Sequence, residues 1–519
     1  MVLARGIGSL LVVLVLGGCM SLPDNSNREE SRGIAVSDAE QTRIGQGLAE
    51  QLAAHPSKNG VLMLRSGRDA FVARAILARL AERSIDLQYY MFHHDTVGSL
   101  LLNEVLQAAD RGVRVRMLID DIYGNEGEDA WVALDTHPRI EVRFFNPWVR
   151  GRSRTLQYLT RLKDVNYRMH VKTYTVDNRA TILGGRNIGD EYFAADPNLA
   201  FSDRDVLAVG PVVQDVEAEF DEYWNSEYAY PAATLIRQGT EQELDQLRAG
   251  KQAFFEASST TTYLRALDDS HLANALRDQT VEFRWADAKI VHDSSEKKAH
   301  GAEGREELLI SQLAPHITSA KTDVVIVSPY FVPGTKATEA LCKLSRDGVR
   351  VRILTNSLVS NDVAAVHAGY SKYRKPLLRC GVELHELNEK LRVPEQKFFT
   401  WLPGLKKSSL HAKTMTFDQE IMFVGSFNFD QRSLHINNEI GMLFWDAQTA
   451  SESTDLFDRH IEDVAFRVTL ETDDGGKESL RWAGREDGRQ VSFDSEPYAS
   501  TGLNALVAVL RLLPIESQL

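Results

Sequence analysis

The sequence predicts an α/β protein in which one unit, a mixed sheet flanked by helices, is built twice, with the two copies related by a pseudo-two-fold around a single site. Three observations carry this expectation. The stretch Asp110-Arg111-Gly112-Val113-Arg114-Val115-Arg116-Met117-Leu118 recurs as Arg346-Asp347-Gly348-Val349-Arg350-Val351-Arg352-Ile353-Leu354. Each copy follows a strand pattern and a helical pattern, which together read as a βαβ unit. Each is followed by the same polar signature, His-x-Lys-x4-Asp, at His170 and again at His411. So long a period is a domain duplication rather than a solenoid.

Composition sets the outer bounds. A chain of 519 residues holds two to four domains. At 43% hydrophobic and 25% charged it is globular, which excludes disorder, collagen-like repeats and a polytopic membrane protein. A net charge of -14 argues against a general nucleic-acid binder. Three cysteines make neither a disulfide scaffold nor a zinc ribbon.

From the N-terminus, Arg5 and the apolar stretch Ile7 to Leu16 read as a secretory signal, since the run falls far short of the roughly 20 residues that cross a bilayer. Its end, Leu16-Gly17-Gly18-Cys19, resembles a bacterial lipoprotein box with Cys19 as the lipidated residue. Residues 1–18 are then signal peptide and 19–45 a polar tether, solvated from Ser21 to about Asp38. Met20 rather than Asp after the cysteine leans the anchor towards the outer membrane, with the body facing the periplasm. There Cys342 and Cys380 could pair, though two buried free thiols are an equal expectation.

The first unit spans 46–235, with a strand from Ile85 to Phe92, a helix from Gly98 to Ala109 and a strand after Gly112. The second spans 305–465, with a strand from Val324 to Phe331, a helix from Ala337 to Ser345 and a strand after Gly348. Between them, 236–304 is acidic and irregular and reads as a linker with a small ordered insert, helical from Tyr263 to Leu276 and looped from Asp293 to Glu303. A C-terminal extension, 466–519, carries the apolar stretch Leu503 to Leu513, which reads as a packed helix, with a membrane contact as the other reading.

The chemistry lies in the repeated signature. On a strand, positions i and i+2 share a face, so His170 projects with Lys172 and His411 with Lys413. An imidazole can attack or carry a proton near neutral pH, and an ammonium beside it suits a phosphate oxygen. Each signature leads to a glycine, Gly184 or Gly425, and then to Asn187 or Asn428, whose amides add neutral donors. Chance would supply roughly 0.03 copies of the signature per chain, so two in register form one cup for a tetrahedral phosphate. The candidate catalytic set is His170, Lys172, Asp177, His411, Lys413 and Asp418, with Asn187 and Asn428 binding phosphate. His93-His94-Asp95 looks metal-like, but adjacent residues cannot all face one ion, and neither a metal nor a cofactor is expected. Two basic windows lead into the signatures: seven basic residues and one acid from Arg150 to Lys172, and six and one from Lys390 to Lys413. With Trp148 and Tyr158, and with Phe398, Phe399 and Trp401, they read as a funnel for anionic headgroups and a lipid contact.

The duplicated signature resembles that of the phospholipase D superfamily, and the resemblance covers nearly the whole mature chain. Its cardiolipin synthase C branch is the most similar, through Phe145-Asn146-Pro147, Gly184-Gly185-Arg186-Asn187-Ile188-Gly189-Asp190, Tyr330-Phe331-Val332-Pro333 and His367-Ala368-Gly369-Tyr370. The resemblance implies phospholipase D-like halves and ping-pong phosphodiester exchange, with His170 as nucleophile and His411 as acid and base. It also implies a carboxylate on the second nitrogen of each histidine, Asp205 for His170 and Glu439 for His411, and gives Asp177 and Asp418 mostly an anchoring part at the motif's turn.

Three activities are consistent with this reading. The first is a phosphatidyltransferase that makes cardiolipin from phosphatidylglycerol, with phosphatidylethanolamine as a second candidate substrate. The second is a phospholipase D releasing phosphatidic acid, and the third a periplasmic nuclease. The phospholipid readings are preferred, with no nucleic acid as partner, Cys19 holding the chain to a membrane, and both signatures supplied by one monomer.

Overall fold

The computed structural model describes residues 21–123, 127–193, 203–257, 264–265, 270–297, 308–390, 410–486 and 488–519. In the first half the strands are β1 (Asn59–Leu64), β2 (Ser84–Tyr89), β3 (Arg114–Asp120), β4 (Ile140–Phe145), β5 (Lys172–Val176), β6 (Ala180–Gly184), β7 (Asp205–Val209) and β8 (Ala229–Pro231). They are hydrogen-bonded in the order β8-β4-β3-β2-β5-β6-β7-β1. After β9 (Arg284–His292), the second half contributes β10 (Asp323–Val327), β11 (Arg350–Asn356), β12 (Glu383–Leu387), β13 (Thr414–Phe417), β14 (Ile421–Gly425), β15 (Ile440–Trp445), β16 (Ala465–Thr472), β17 (Glu478–Glu486) and β18 (Arg489–Phe493). Their order is β15-β14-β13-β10-β11-β12-β16-β17-β18.

The duplication is visible strand by strand. β2, β3 and β4 run parallel, as do β10, β11 and β12, and the other pairings are antiparallel, so each sheet is mixed as expected. Parallel strands need crossover helices, and these are Thr96–Asp110 and Gly334–Arg346, within a few residues of the sequence expectation. Their apolar faces build one outer core in each half. A third core lies between the halves: Val171, Leu183, Val206 and Phe220 from the first meet Met422, Val424, Ile440 and Phe444 from the second. At about 1.5–3 kcal/mol per buried large apolar side chain, this inner core fixes how the halves face each other, and hence the site.

Two stretches depart from expectation. The segment from Ser21 to Asp38 is not a solvated tether. Arg116 and Arg143 are fully buried and must satisfy several guanidinium donors each. Arg116 donates to the Ser31 carbonyl at 3.0 Å and Arg143 to the Glu29 carbonyl at 2.5 Å. In return Trp224 Nε1 donates to Ser31 Oγ at 2.9 Å, and the Gly33 N–H donates to Asp221 at 3.0 Å. Buried cations thus dock a polar stretch. The stretch 236–304 is also more than a linker. Within it, β9 pairs with β1 through Arg284 to Ala286 and with β15 through Asp287 to His292, joining the two sheets. Asp293 and Lys297, expected in a loop, are buried beside the site. Of the expected helix, Leu264 and Arg265 are helical, and so is its end, within a helix His271–Arg277.

In the C-terminal extension, β16 pairs with β12, so the extension continues the second sheet. Cys342 and Cys380 form a disulfide rather than free thiols. Cys19, Phe398, Phe399 and Trp401 lie outside the described residues. Among the described residues, no helix is long and apolar enough to cross a membrane.

Candidate active site

His170 and His411 stand just ahead of β5 and β13, where the halves touch. The His170 N–H donates to the Asn438 carbonyl and the Asn438 N–H to the Arg168 carbonyl, both at 2.9 Å, a short parallel bridge between the copies. The carboxylate partners cross the same boundary. Glu439 of the second half binds His170 Nδ1 at 2.8 and 3.0 Å, and Asp203 of the first half binds His411 Nδ1 at 2.8 Å. With both Nδ1 atoms held, Nε2 is the ring atom each histidine has for chemistry.

This corrects the carboxylates expected from sequence. Glu439 serves His170, not His411. Asp205 touches neither histidine: it is fully buried against Arg74 at 2.8 Å and Arg186 at 3.5 Å. The register explains the difference. Gly184 pairs with Asp205 and Gly425 with Gly441, so the true equivalents are Asp203 and Glu439, each two residues earlier. Asp203 and Asp205 are one pleat apart, and the sequence alone could not choose between them. Gly185 is required by this arrangement, because a Cβ there would lie 2.3 Å from Asp203 Oδ1.

The two pairs have different electrostatics. Burial pushes Glu439 up to about 7, with Lys172, Ser426 and Ser433 pulling the other way. Ser433 Oγ donates to its Oε1 at 2.7 Å and Ser426 Oγ to its Oε2 at 2.5 Å. Burial also opposes ionisation of Asp203, but His411, Arg186 and Lys413 outweigh it and hold this carboxylate well below its usual range. His170 is held well below the usual imidazole value by burial and by Lys172 and Lys413. His411 is lowered by burial and Lys413, with Asp203 acting the other way. A neutral imidazole at His170 and one backed by an ionised carboxylate at His411 are suited to different tasks.

Lys172 and Lys413 are fully buried, and each Nζ donates to its own histidine's carbonyl, at 2.7 and 2.6 Å. Burial lowers Lys413 to about 8, with Asp203 and Glu439 opposing. Asn187 and Asn428 are buried, and the Oδ1 of each has no hydrogen-bond partner. An unmet buried polar atom costs about 1–3 kcal/mol; these oxygens only accept, so a phosphate would be met by the Nδ2 donors of the two amides. Tyr90 packs edge-on to His170 and Tyr192 to His411, forming walls of the site; no role was expected of Tyr192 from the sequence.

Asp177 and Asp418 lie at the far ends of β5 and β13 from the histidines and take no part in this cluster. Asp177 accepts from the N–H groups of Glu82, Arg83 and Ser84, and Asp418 from those of Lys321, Thr322 and Asp323. Each opens a tight turn at positive φ, 50° and 52°. They anchor hairpins rather than acting in chemistry. Behind Glu439, Asp293 Oδ2 accepts the Glu439 N–H at 2.9 Å and pairs with Lys297 at 2.9 Å, and Lys297 also caps the Asn437 carbonyl at 2.6 Å.

The funnel expected from Arg150 to Lys172 is partly neutralised within the fold, since Arg150 pairs with Asp121 and Glu128, and Arg168 with Asp120. Most of the Lys390 to Lys413 window is outside the described residues. His93, His94 and Asp95 diverge: His93 faces Glu191, His94 packs on Trp131, and Asp95 caps the helix Thr96–Asp110.

Comparison with known proteins agrees with this architecture. The family described as "Cardiolipin synthase, PLD-like domain" matches residues 76–224 and again 313–461, one match per half. Cardiolipin synthase C of Escherichia coli is 38% identical over 475 residues, covering 91% of this chain and 99% of that protein. Cardiolipin synthase A of Pseudomonas syringae is 27% identical, covering 76% of this chain and 67% of its own length. The crystal structure of phosphatidylserine synthase from Haemophilus influenzae is similar in fold, with a TM-score of 0.53 at 14% identity, covering 80% of this chain and 91% of that one. The chain belongs to the phospholipase D-like cardiolipin synthase family.

Proposed function

We propose that the protein is a cardiolipin synthase-like phosphatidyltransferase that moves a phosphatidyl group between phospholipids through a phosphohistidine. The observation that carries this is the pair of histidine–carboxylate contacts crossing between the halves, one with a neutral histidine and one with an ionised carboxylate, in a chain of this family. His170 Nε2 attacks phosphorus, and the bond from phosphorus to the headgroup oxygen breaks. His411, in its protonated form with Nδ1–H held by the ionised Asp203, gives its Nε2 proton to that leaving oxygen. The incoming headgroup hydroxyl then returns a proton to His411 and displaces His170 from phosphorus. Lys172, Lys413, Asn187 and Asn428 stabilise the charge on the equatorial oxygens.

Phosphatidylglycerol is the proposed acceptor, with phosphatidylglycerol or phosphatidylethanolamine as donor. One chain supplies both histidines, which fits a monomer. The Cys342–Cys380 disulfide and the Leu16-Gly17-Gly18-Cys19 stretch fit an anchored lipoprotein facing the periplasm. The test is lipid mass spectrometry after incubating the protein with phosphatidylglycerol vesicles, with and without phosphatidylethanolamine. Cardiolipin that appears with the native protein and not with His170→Ala supports the transferase. Phosphatidic acid alone makes it a hydrolase, and cleavage of DNA without lipid products overturns the lipid reading.

A further inference from the structure

Between Thr501 and Leu510 the chain carries no charged residue, and Ser500 Oγ caps the helix by accepting the Leu503 N–H. One face, with Leu503, Val507 and Leu510, packs against Leu358, Ala364 and Ala368. The other face is bare: Leu506 is 48% exposed, Val509 58% and Leu512, just past the helix, 85%. A helix apolar on all sides is ordinarily buried on all sides, so this outer face is shaped for contact with something other than water.

The helix Arg154–Val165 repeats the arrangement with charge added. Tyr158, Leu159 and Leu162 point outwards, Leu159 at 79% exposure. Exposed Arg152, Arg154 and Lys163 are interleaved with them, and Asp164 is the single acid of the stretch. The two surfaces are linked. Asn166, which ends this helix, donates Nδ2 to Gln518 Oε1 at 2.7 Å. Leu519 lies against Gly369, on the helix that carries Thr501–Leu510. Arg432 holds the Asn166 carbonyl at 2.6 Å, and its own N–H donates to the Leu519 carbonyl at 2.6 Å. The Arg154–Val165 helix also runs directly into Tyr167 to His170.

We propose that these two helices form a bilayer-docking surface for membranes containing anionic phospholipid, which seats the His170 side of the site at the lipid interface. The inference rests on the phospholipid reading above and adds the place where the protein meets its substrate. The charge pattern selects the occupant. On the Arg154–Val165 side, leucines interleaved with Arg152, Arg154 and Lys163 fit the boundary between acyl chains and anionic headgroups, and Leu506, Val509 and Leu512, beside Arg511, add apolar area. A protein partner of matching acidity is the alternative that the experiment below detects.

The test uses the full chain with Cys19→Ser, so that no lipid is attached and no free thiol competes with a label. An environment-sensitive fluorophore is placed on Leu159→Cys, on Leu512→Cys or, as control, on Asp474→Cys. Vesicles of phosphatidylglycerol with phosphatidylcholine should shift the emission to the blue and raise it severalfold at 159 and 512, but not at 474. Vesicles of phosphatidylcholine alone should do so far less. An unchanged signal at 159 and 512 overturns the proposal. So does emission already shifted before vesicles are added, which would mean that another part of the chain, a second copy or a bound protein covers the face. Replacing Leu159, Leu162, Leu506 and Val509 together by Ser should cut turnover on vesicles at least tenfold, while detergent-dispersed lipid is processed as before. Equal loss on both forms of lipid also overturns it. The fluorescence needs no turnover, so failure of the enzyme reading and failure of the surface are separate results.

Discussion

Replacing Glu439 by Gln separates what the carboxylate does for chemistry from what it costs the fold. Its side chain is wholly buried, and burial carries it from an ordinary 4.5 to about 7. A folded-state value above the unfolded one stabilises the protein in full below 4.5, and that contribution is lost as pH rises through 7. The interval corresponds to about 3 kcal/mol. Gln cannot ionise and can still accept from His170 Nδ1, while Ser426 and Ser433 can reorient their hydroxyls. Denaturant unfolding of both proteins at pH 4.5 and pH 8.5 reads the effect. E439Q should match the native protein within about 1 kcal/mol at the lower pH and exceed it by about 3 kcal/mol at the higher. Turnover should meanwhile fall about 10²–10⁴-fold, as when a triad carboxylate loses its charge. A stability difference that is the same at both pH values would refute the electrostatic reasoning.

Further expectations follow from other residues. Asp203→Asn should lower kcat by at least about 10²-fold and, since His411, Arg186 and Lys413 hold this carboxylate ionised, should also cost stability at neutral pH. Asp205→Asn should instead cost about 3–5 kcal/mol by stranding Arg74 and Arg186, with kcat kept while the protein stays folded; kcat measured on both variants tells the two aspartates apart. Asp177→Ala removes the acceptor of three backbone N–H groups and should destabilise the fold by about 3 kcal/mol, with kcat unchanged at temperatures where the protein stays folded. Lys297→Met leaves Asp293 ionisable and unpaired behind Glu439, and calorimetry should show a loss of about 3–5 kcal/mol. Replacing Cys342 and Cys380 by Ala opens a loop of 38 residues and should cost about 4 kcal/mol in unfolding experiments, an effect that reducing agent reproduces in the native protein.

The parts of the structure that were legible in the sequence are those written locally and twice. The βαβ units showed because apolar alternation, a helical stripe and a glycine at 112 or 348 recur in one order. The histidines and lysines showed because a two-residue spacing on a strand is itself a statement about a face. What failed depended on partners distant in sequence. The choice between Asp203 and Asp205 turns on a hairpin register, and Glu439 reaches across to His170 because the halves interlock through Asn438. The stretch around Ser31 reads as polar chain until the carbonyl needs of buried Arg116 and Arg143 are known. Asp293 and Lys297 look like a charged loop until their burial beside Glu439 is seen.

β9 lies in the joint between the two copies, and it is hydrogen-bonded to both. In a duplicated chain the joint is ordinarily the place to cut when the copies are wanted separately. Here a cut before β9 leaves β1 with a bare row of N–H and C=O groups, and a cut after it does the same to β15, the kind of raw edge that draws strands from other molecules. Either half produced alone should therefore self-associate, while co-expressed fragments that restore β9 to its slot should reassemble. The linker has become a rivet, and neither copy has kept the means to stand apart from the other.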